Sequence, residues 1–174
     1  MKFIPLFIVI LLFSQSNAQS IFDHARSGDT TAFEQMLKKH PENAFLTNNQ
    51  GYTPLILASY YNHIEAVRYL LETSKVDVDI QSNMGTALMA SVVKNHVDLS
   101  LLLLSFGADP NLVDANGTSA LHYATMFQHK ALVHALIQAD ADPNLKDQTG
   151  RSALDYASLL NNKDIIDLFK HHSE

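Results

Sequence analysis

The sequence predicts an all-α repeat solenoid, and three observations carry that prediction. Leu55, Leu88, Leu121 and Leu154 are each 33 residues apart (88−55, 121−88, 154−121), and Leu70, Leu103, Leu136 and Phe169 keep the same step. Small residues, Ala58, Ser91, Ala124 and Ala157, return at that step at one helical position and let neighbouring helices approach closely. Turn chemistry falls between these positions: Gly107 is placed to end a helix, and Pro110 and Pro143 are placed to forbid its continuation. A fixed period of this length marks stacked supersecondary units that bury their apolar faces only against one another. Such an array presents an extended surface rather than a closed active-site pocket.

Residues 1–18 read differently. Lys2 supplies a short positive region, Phe3 to Phe13 is apolar except for Pro5, and Ser16-Asn17-Ala18 offers small residues at cleavage positions. This is the pattern of a secretory signal peptide, with cleavage expected after Ala18 and a mature chain from Gln19. The competing reading, a membrane anchor, needs about 20 apolar residues to cross the hydrocarbon core, and this stretch is shorter. After cleavage no stable membrane span is expected.

Composition bounds the rest. The chain has 174 residues, 47% apolar and 17% charged, which is globular rather than disordered. Its formal net charge is −6 without a long run of either sign, which argues against nucleic acid, since that would call for a basic stripe. There is no Cys, so disulfides and lipid attachment at a cysteine are both excluded. Stability has to come from repeat packing. An exported, cysteine-free chain fits a bacterial envelope, periplasmic or secreted, better than an animal extracellular space. One glycosylation sequon, Asn116-Gly117-Thr118, falls on an expected turn.

The units follow in order. Residues 19–50 form a degenerate N-terminal unit, with Ala25-Arg26-Ser27-Gly28-Asp29 as a helix and turn and Phe33, Met36 and Leu37 at helical spacing. Clear units follow at 51–83, 84–116, 117–149 and 150–174. Thr53 suits a helix N-cap and Pro54 the first helical position, where its missing N–H is not needed. Ser119 and Ser152 repeat the cap. The polar end Lys170-His171-His172-Ser173-Glu174 suits a capping repeat.

Gly51-Tyr52-Thr53-Pro54-Leu55, Ser119-Ala120-Leu121-His122, Gln128-His129, Leu136-Ile137 and Gly107-Ala108-Asp109-Pro110-Asn111 together resemble the ankyrin repeat. The resemblance covers roughly residues 20 to 174. Departures are visible. The exit Thr73-Ser74-Lys75-Val76-Asp77-Val78-Asp79 is one residue longer than the next unit's, and the turn Gln81-Ser82-Asn83-Met84-Gly85 is one shorter. Asp140 stands in the place of a helix-ending Gly, so a locally altered turn is expected there.

His63, His96 and His129 share one repeat position. Like positions in adjacent repeats lie about 8–10 Å apart, too far to share one zinc at ~2.0–2.1 Å. Each imidazole is therefore expected to tie its repeat to a neighbour through a backbone hydrogen bond. His122 reads as structural too, and Ile56, Met89 and Asp155 occupy its equivalent positions. His171-His172 reads as an exposed terminal pair, with a weak metal site as the alternative. The chain contains no nucleophile elbow, no H-E-x-x-H, no P-loop and no G-x-G-x-x-G. Catalysis is not expected, and no cofactor or metal is implied.

The ankyrin resemblance implies that two positions at the end of each first helix face a concave groove. Here they are Tyr60-Tyr61, Val93-Lys94, Met126-Phe127 and Leu159-Leu160, apolar or aromatic except for Lys94. An apolar strip of this kind marks an interaction surface, and Tyr, Met and Phe are enriched in interfaces. The alternative is that the second residue of each pair is partly buried against the next helix. Turn tips add Gln50, Tyr52, Ser82, Asn83, Ala115, Thr118, Gln148 and Arg151 as rim candidates. The resemblance thus implies a monomeric, non-enzymatic protein that binds another protein, protecting, inhibiting or assembling an envelope or secreted partner. The alternative is an assembly role, in which the strip pairs two copies of the chain.

Overall fold

A computed structural model describes residues 20–82 and 85–171, with no account of the His171 side chain. The expected signal peptide lies outside these residues, as do Asn83, Met84 and His172. The chain divides into two compact units, Met1–Val76 and Asp77–Glu174.

In the first unit, residues 20–27 form α1, which buries Ile21, Phe22 and Ala25. Gly28 (φ 77°) makes the left-handed turn that ends it. The Asp29 carboxylate then accepts the Ala32 N–H at 2.9 Å and caps α2, Thr30–Lys39, which buries Phe33 and Leu37. A short 3₁₀ helix follows at Pro41–Phe45. The Asn48 side chain then turns the chain by accepting the N–H groups of Gln50 (2.9 Å) and Tyr52 (3.0 Å). Thr53 caps α3, Pro54–Tyr60, by accepting the Ile56 N–H at 3.2 Å, with Pro54 at the first position. Asn62 (φ 63°) turns the chain into α4, Ile64–Glu72, which packs against α2. His63 Nε2 donates to the Arg26 carbonyl at 3.0 Å, so this imidazole joins its helix pair to the preceding one, as expected. Its ring fills the space beside Gly28, where an added Cβ would collide with it.

The second unit repeats one helix pair three times: α5 (Ala87–Val93) with α6 (Val97–Ser105), α7 (Ala120–Met126) with α8 (Lys130–Gln138), and α9 (Ala153–Leu159) with α10 (Lys163–His171). Helix α7 packs on both α5 and α9, and α8 on both α6 and α10, so the inner and outer helices form two layers. Thr86, Ser119 and Ser152 cap the inner helices, each accepting the N–H three residues on. Leu88, Leu103, Leu121, Leu132 and Leu136 are buried between the layers. Leu154 keeps the repeat step yet is only half-buried, because no helix pair follows it among the described residues.

The first of these three pairs carries a polar exception. Ser91 stands where the other pairs have Ala, and its hydroxyl meets the Ser100 hydroxyl at 2.8 Å in the buried α5–α6 contact. The Leu88 and His96 carbonyls lie at 2.8 and 2.9 Å, so neither hydroxyl is orphaned.

The expectation of an altered turn at Asp140 is not met. Asp140 takes φ 60°, as Gly107 takes φ 86°. The closing bonds also match: Ala108 N–H to the Leu103 carbonyl and Ala141 N–H to the Leu136 carbonyl. A short polar side chain tolerates the left-handed region well enough to keep the helix-ending motif intact.

The last two turn tips are held by a repeated latch. Asp114 accepts the Tyr123 hydroxyl at 2.6 Å and the N–H groups of Asn116 and Thr118. Asp147 accepts the Tyr156 hydroxyl at 2.6 Å, the Thr149 N–H and hydroxyl, and the Arg151 N–H. Burial acts to raise both carboxyls, but the tyrosine and turn hydrogen bonds outweigh it and hold both below the usual carboxylate range. Burial, reinforced by Asp114, pushes the Tyr123 phenol up to about 12. At the shorter tip this latch is replaced by Ser82, which exchanges both backbone bonds with Gly85 at 3.0 Å, and the tyrosine position is Ala90.

Two predictions follow from this packing. Leu103 is fully buried between neighbouring pairs, so Leu103→Ala should destabilise the protein by about 2–5 kcal/mol, against little change for the exposed Gln138→Ala. Equal denaturation midpoints would contradict the core register. The two latches contribute stability that is fully present above the ordinary Asp value of 3.8 and is lost as pH falls through the depressed folded values. Tyr156→Phe should therefore lower the thermal midpoint at neutral pH and shrink the further loss on acidification, read by circular dichroism across a pH series.

Candidate protein-interaction surface

The end of each inner helix is set by a left-handed residue two positions on, Asn62, Asn95, Gln128 or Asn161. That turn forces the preceding pair of residues outward. In the second unit, Met126 and Phe127 are 38% and 49% exposed, and Leu159 and Leu160 are 64% and 43% exposed. Val93 is half-buried and Lys94 exposed. Because α7 lies between α5 and α9, Met126-Phe127 sits between Val93-Lys94 and Leu159-Leu160. The second residue of each pair is therefore not buried against the next helix.

Phe127 is held rather than loose. Its ring stacks on Tyr123 at 6.3 Å and on His129 at 5.9 Å. Tyr123 is itself fixed through Asp114, so the latch at the turn tip also braces the aromatic surface. In the first unit, Tyr60 and Tyr61 are both exposed and meet edge to face at 5.1 Å, and Tyr61 stacks on His63 at 6.4 Å.

The rim is partly as expected. Gln50, Ala115, Gln148 and Arg151 are exposed, and Tyr52 and Ser82 are half-buried. Thr118 is not available: it is buried beneath its tip, between the Asp114 bond and the bridge that pairs Val113 with Ser119. Gln148 closes onto the neighbouring tip, donating its Nε2 to the Ala115 carbonyl at 2.6 Å and its N–H to the Asn116 carbonyl at 3.0 Å.

The histidines divide. His122 accepts the Ser119 N–H at Nδ1 (3.2 Å) and therefore donates from Nε2 to the Arg151 carbonyl (3.1 Å), tying one repeat to the next. Asp155 reproduces the first half of that role by accepting the Ser152 N–H at 2.9 Å. His129 departs from the expectation of a backbone bond: its Nε2 is buried without a hydrogen-bond partner, and ring stacking on Phe127 places it. Among the described residues no group of three or more His, Asp or Glu side chains is arranged to hold a metal, and no helix is long and apolar enough to cross a membrane.

Among the described residues, three exposed apolar side chains lie outside the expected surface, Phe45, Leu101 and Val113. Leu101 was legible as an oddity, since the equivalent positions hold Arg68, His134 and Asp167. Phe45 ends a 3₁₀ helix that has no counterpart in the 33-residue pattern, and so carried no periodic signal.

Comparison with known proteins gives the same architecture. A model of ankyrin repeats (3 copies) matches residues 21–114 and 99–174. Ankyrin repeat and SOCS box protein 3 of Bos taurus is 30% identical over 90 residues, covering 50% of this chain and 17% of that protein. Helix pairs stacked in register, capped by Thr or Ser and closed by left-handed turns, account for nearly the whole of the matched region, and the chain belongs to the ankyrin-repeat family.

Proposed function

We propose that this chain is an exported binding protein that holds another protein against the inner-helix ends of its second unit. The observation that carries this reading is the exposure of Met126, Phe127, Leu159 and Leu160 on adjacent inner helices. Solvent-facing apolar clusters of this kind destabilise nothing when covered and favour association when bare. Phe127 supplies a large, pre-stacked ring, which lowers the ordering cost of binding. Lys94 adds a charge at one border, and Arg151, Gln148 and Ala115 add polar and backbone groups at the tips. In the first unit, Tyr60 and Tyr61 present a pair of exposed rings of their own. The partner is an envelope or secreted protein that is protected, inhibited or assembled, and binding needs no cofactor and no chemistry.

Export rests on residues 1–18, whose charge, apolar stretch and small residues fit a cleaved leader. N-terminal sequencing of protein recovered outside the cytoplasm should begin near Gln19. A chain recovered in the membrane fraction with Met1 intact would overturn that part.

The binding surface is tested by Phe127→Ala combined with Leu160→Ala. Truncating interface anchors commonly costs about 2 kcal/mol or more, roughly thirtyfold in affinity. The double variant should lose capture of the native partner while its circular dichroism and thermal midpoint stay near wild type. Retained capture with an intact fold would move the surface elsewhere. Sedimentation of the purified chain over a wide concentration range separates the alternative: a monomer throughout is expected, whereas dimerisation abolished by the same variant would show that the strip pairs two copies.

A further inference from the structure

Three exit segments in the second unit share one hydrogen-bonding plan. In each, an Asp accepts the N–H two residues on: Asp77 from Asp79 at 3.0 Å, Asp109 from Asn111 at 2.8 Å, and Asp142 from Asn144 at 2.8 Å. At the first two, the residue at the end of the plan then reaches the next repeat. Asn111 shows the complete joint. Its Oδ1 accepts the Asp142 N–H at 2.7 Å, and its Nδ2 donates to the Asp140 carbonyl at 3.1 Å. A carboxamide suits this place because it offers one acceptor and one donor to two backbone groups of opposite polarity.

At the preceding joint the same place holds Asp79. Its two oxygens share the single Asp109 N–H, at 3.0 and 3.2 Å. The counterpart of the Asp140 carbonyl there is the carbonyl of Gly107, since Gly107 and Asp140 are the left-handed residues that end α6 and α8. An ionised carboxylate has no proton to offer that carbonyl. The charged groups that face Asp79 are Asp77 on its own segment and Asp109 on the exit after α6, and both are acidic.

We propose that Asp79 is an acid-responsive joint: a carboxylate in a place built for a carboxamide, which completes its contact with the exit after α6 only when it takes up a proton. The protonated side chain has the donor and acceptor set of Asn111, with its O–H directed at the Gly107 carbonyl and its carbonyl oxygen kept on the Asp109 N–H. The electrostatics agree with the geometry. Burial, followed by the Asp109 and Asp77 charges, raises the Asp79 carboxyl above its ordinary value, although the Asp109 N–H pulls the other way. The sign is opposite to that of the latches at Asp114 and Asp147. A raised folded value means that the folded state takes up the proton first, so this stabilisation is full below the ordinary value of 3.8 and is lost as pH rises through the folded value.

The test is a reciprocal pair of substitutions in the full mature chain, with thermal midpoints measured from neutral pH down to about pH 4. Asp79→Asn supplies the missing donor permanently. It should raise the midpoint at neutral pH by about 2–4 °C, and the gain should shrink as the wild type is acidified. Asn111→Asp installs the same mismatch at the next joint, and should lower the midpoint at neutral pH with partial recovery in acid. The Asp79 side-chain carboxyl, followed by carbon-13 NMR, should titrate above an ordinary Asp. A neutral-pH midpoint for Asp79→Asn at or below wild type would overturn the proposal, as would a gain that is constant across the pH series.

Discussion

Each helix pair leaves an apolar face that only another pair can cover, and the remaining features of this chain depend on that constraint. The inner helices are seven residues long, far too short to persist alone in water. They persist because Leu55, Leu88 and Leu121 are removed from water, and because each inner-helix start is capped by a hydroxyl. The cap keeps a seven-residue helix from fraying at its first turn, and the buried Leu holds it against the next. With no cysteine in the chain, no covalent tie substitutes for this stacking.

Stacking also explains why the surface is where it is. Helices held on two sides have one end free, and the left-handed turn at that end turns two side chains outward at Tyr60-Tyr61, Met126-Phe127 and Leu159-Leu160, and Lys94 alone where Val93 is half-buried. The scaffold fixes the place and the repeat step sets the spacing. The identity of those side chains is then free of folding demands, which is how Phe127 and Leu160 can sit in water. The same separation explains the bracing of Phe127: the Asp114–Tyr123 bond serves the turn tip, and the stacked ring inherits its rigidity.

Much of this was legible in the residues. The step of Leu55, Leu88 and Leu121 revealed the core, because burial at one repeat position admits few alternatives to Leu. Thr53, Ser119 and Ser152 revealed helix starts, because capping requires a short side-chain acceptor at one place. The exposure of Met126-Phe127 followed from their place in the repeat. What could not be read depended on contacts between residues distant in sequence. Asp140 was expected to disturb its turn, since residue type alone does not say that the surrounding hydrogen bonds hold a non-glycine residue in the left-handed region. Thr118 was placed on the rim, since nothing in a local pattern shows a side chain folding under its own tip. The 3₁₀ helix at Pro41–Phe45 had no periodic counterpart against which to see it.

The middle repeat gathers the departures, and they come as matched sets rather than as isolated changes. A hydroxyl at Ser91 alone would orphan a buried polar group, but Ser100 faces it. Met89 stands where His122 stands in the next repeat, and its sulfur occupies the space beside Gly85, where an added Cβ would collide with it. Gly85, at φ 93°, is therefore required both by the backbone of the shorter turn and by the side chain beneath it. The longer exit before Asp77 and the shorter turn after Gln81 cancel, so α5 starts on the 33-residue step although the path to it differs. Asp79 is the member of this group without a matching partner. It stands among Asp77 and Asp109 with no donor of its own, so the joint it makes is the one whose bonding a proton can change.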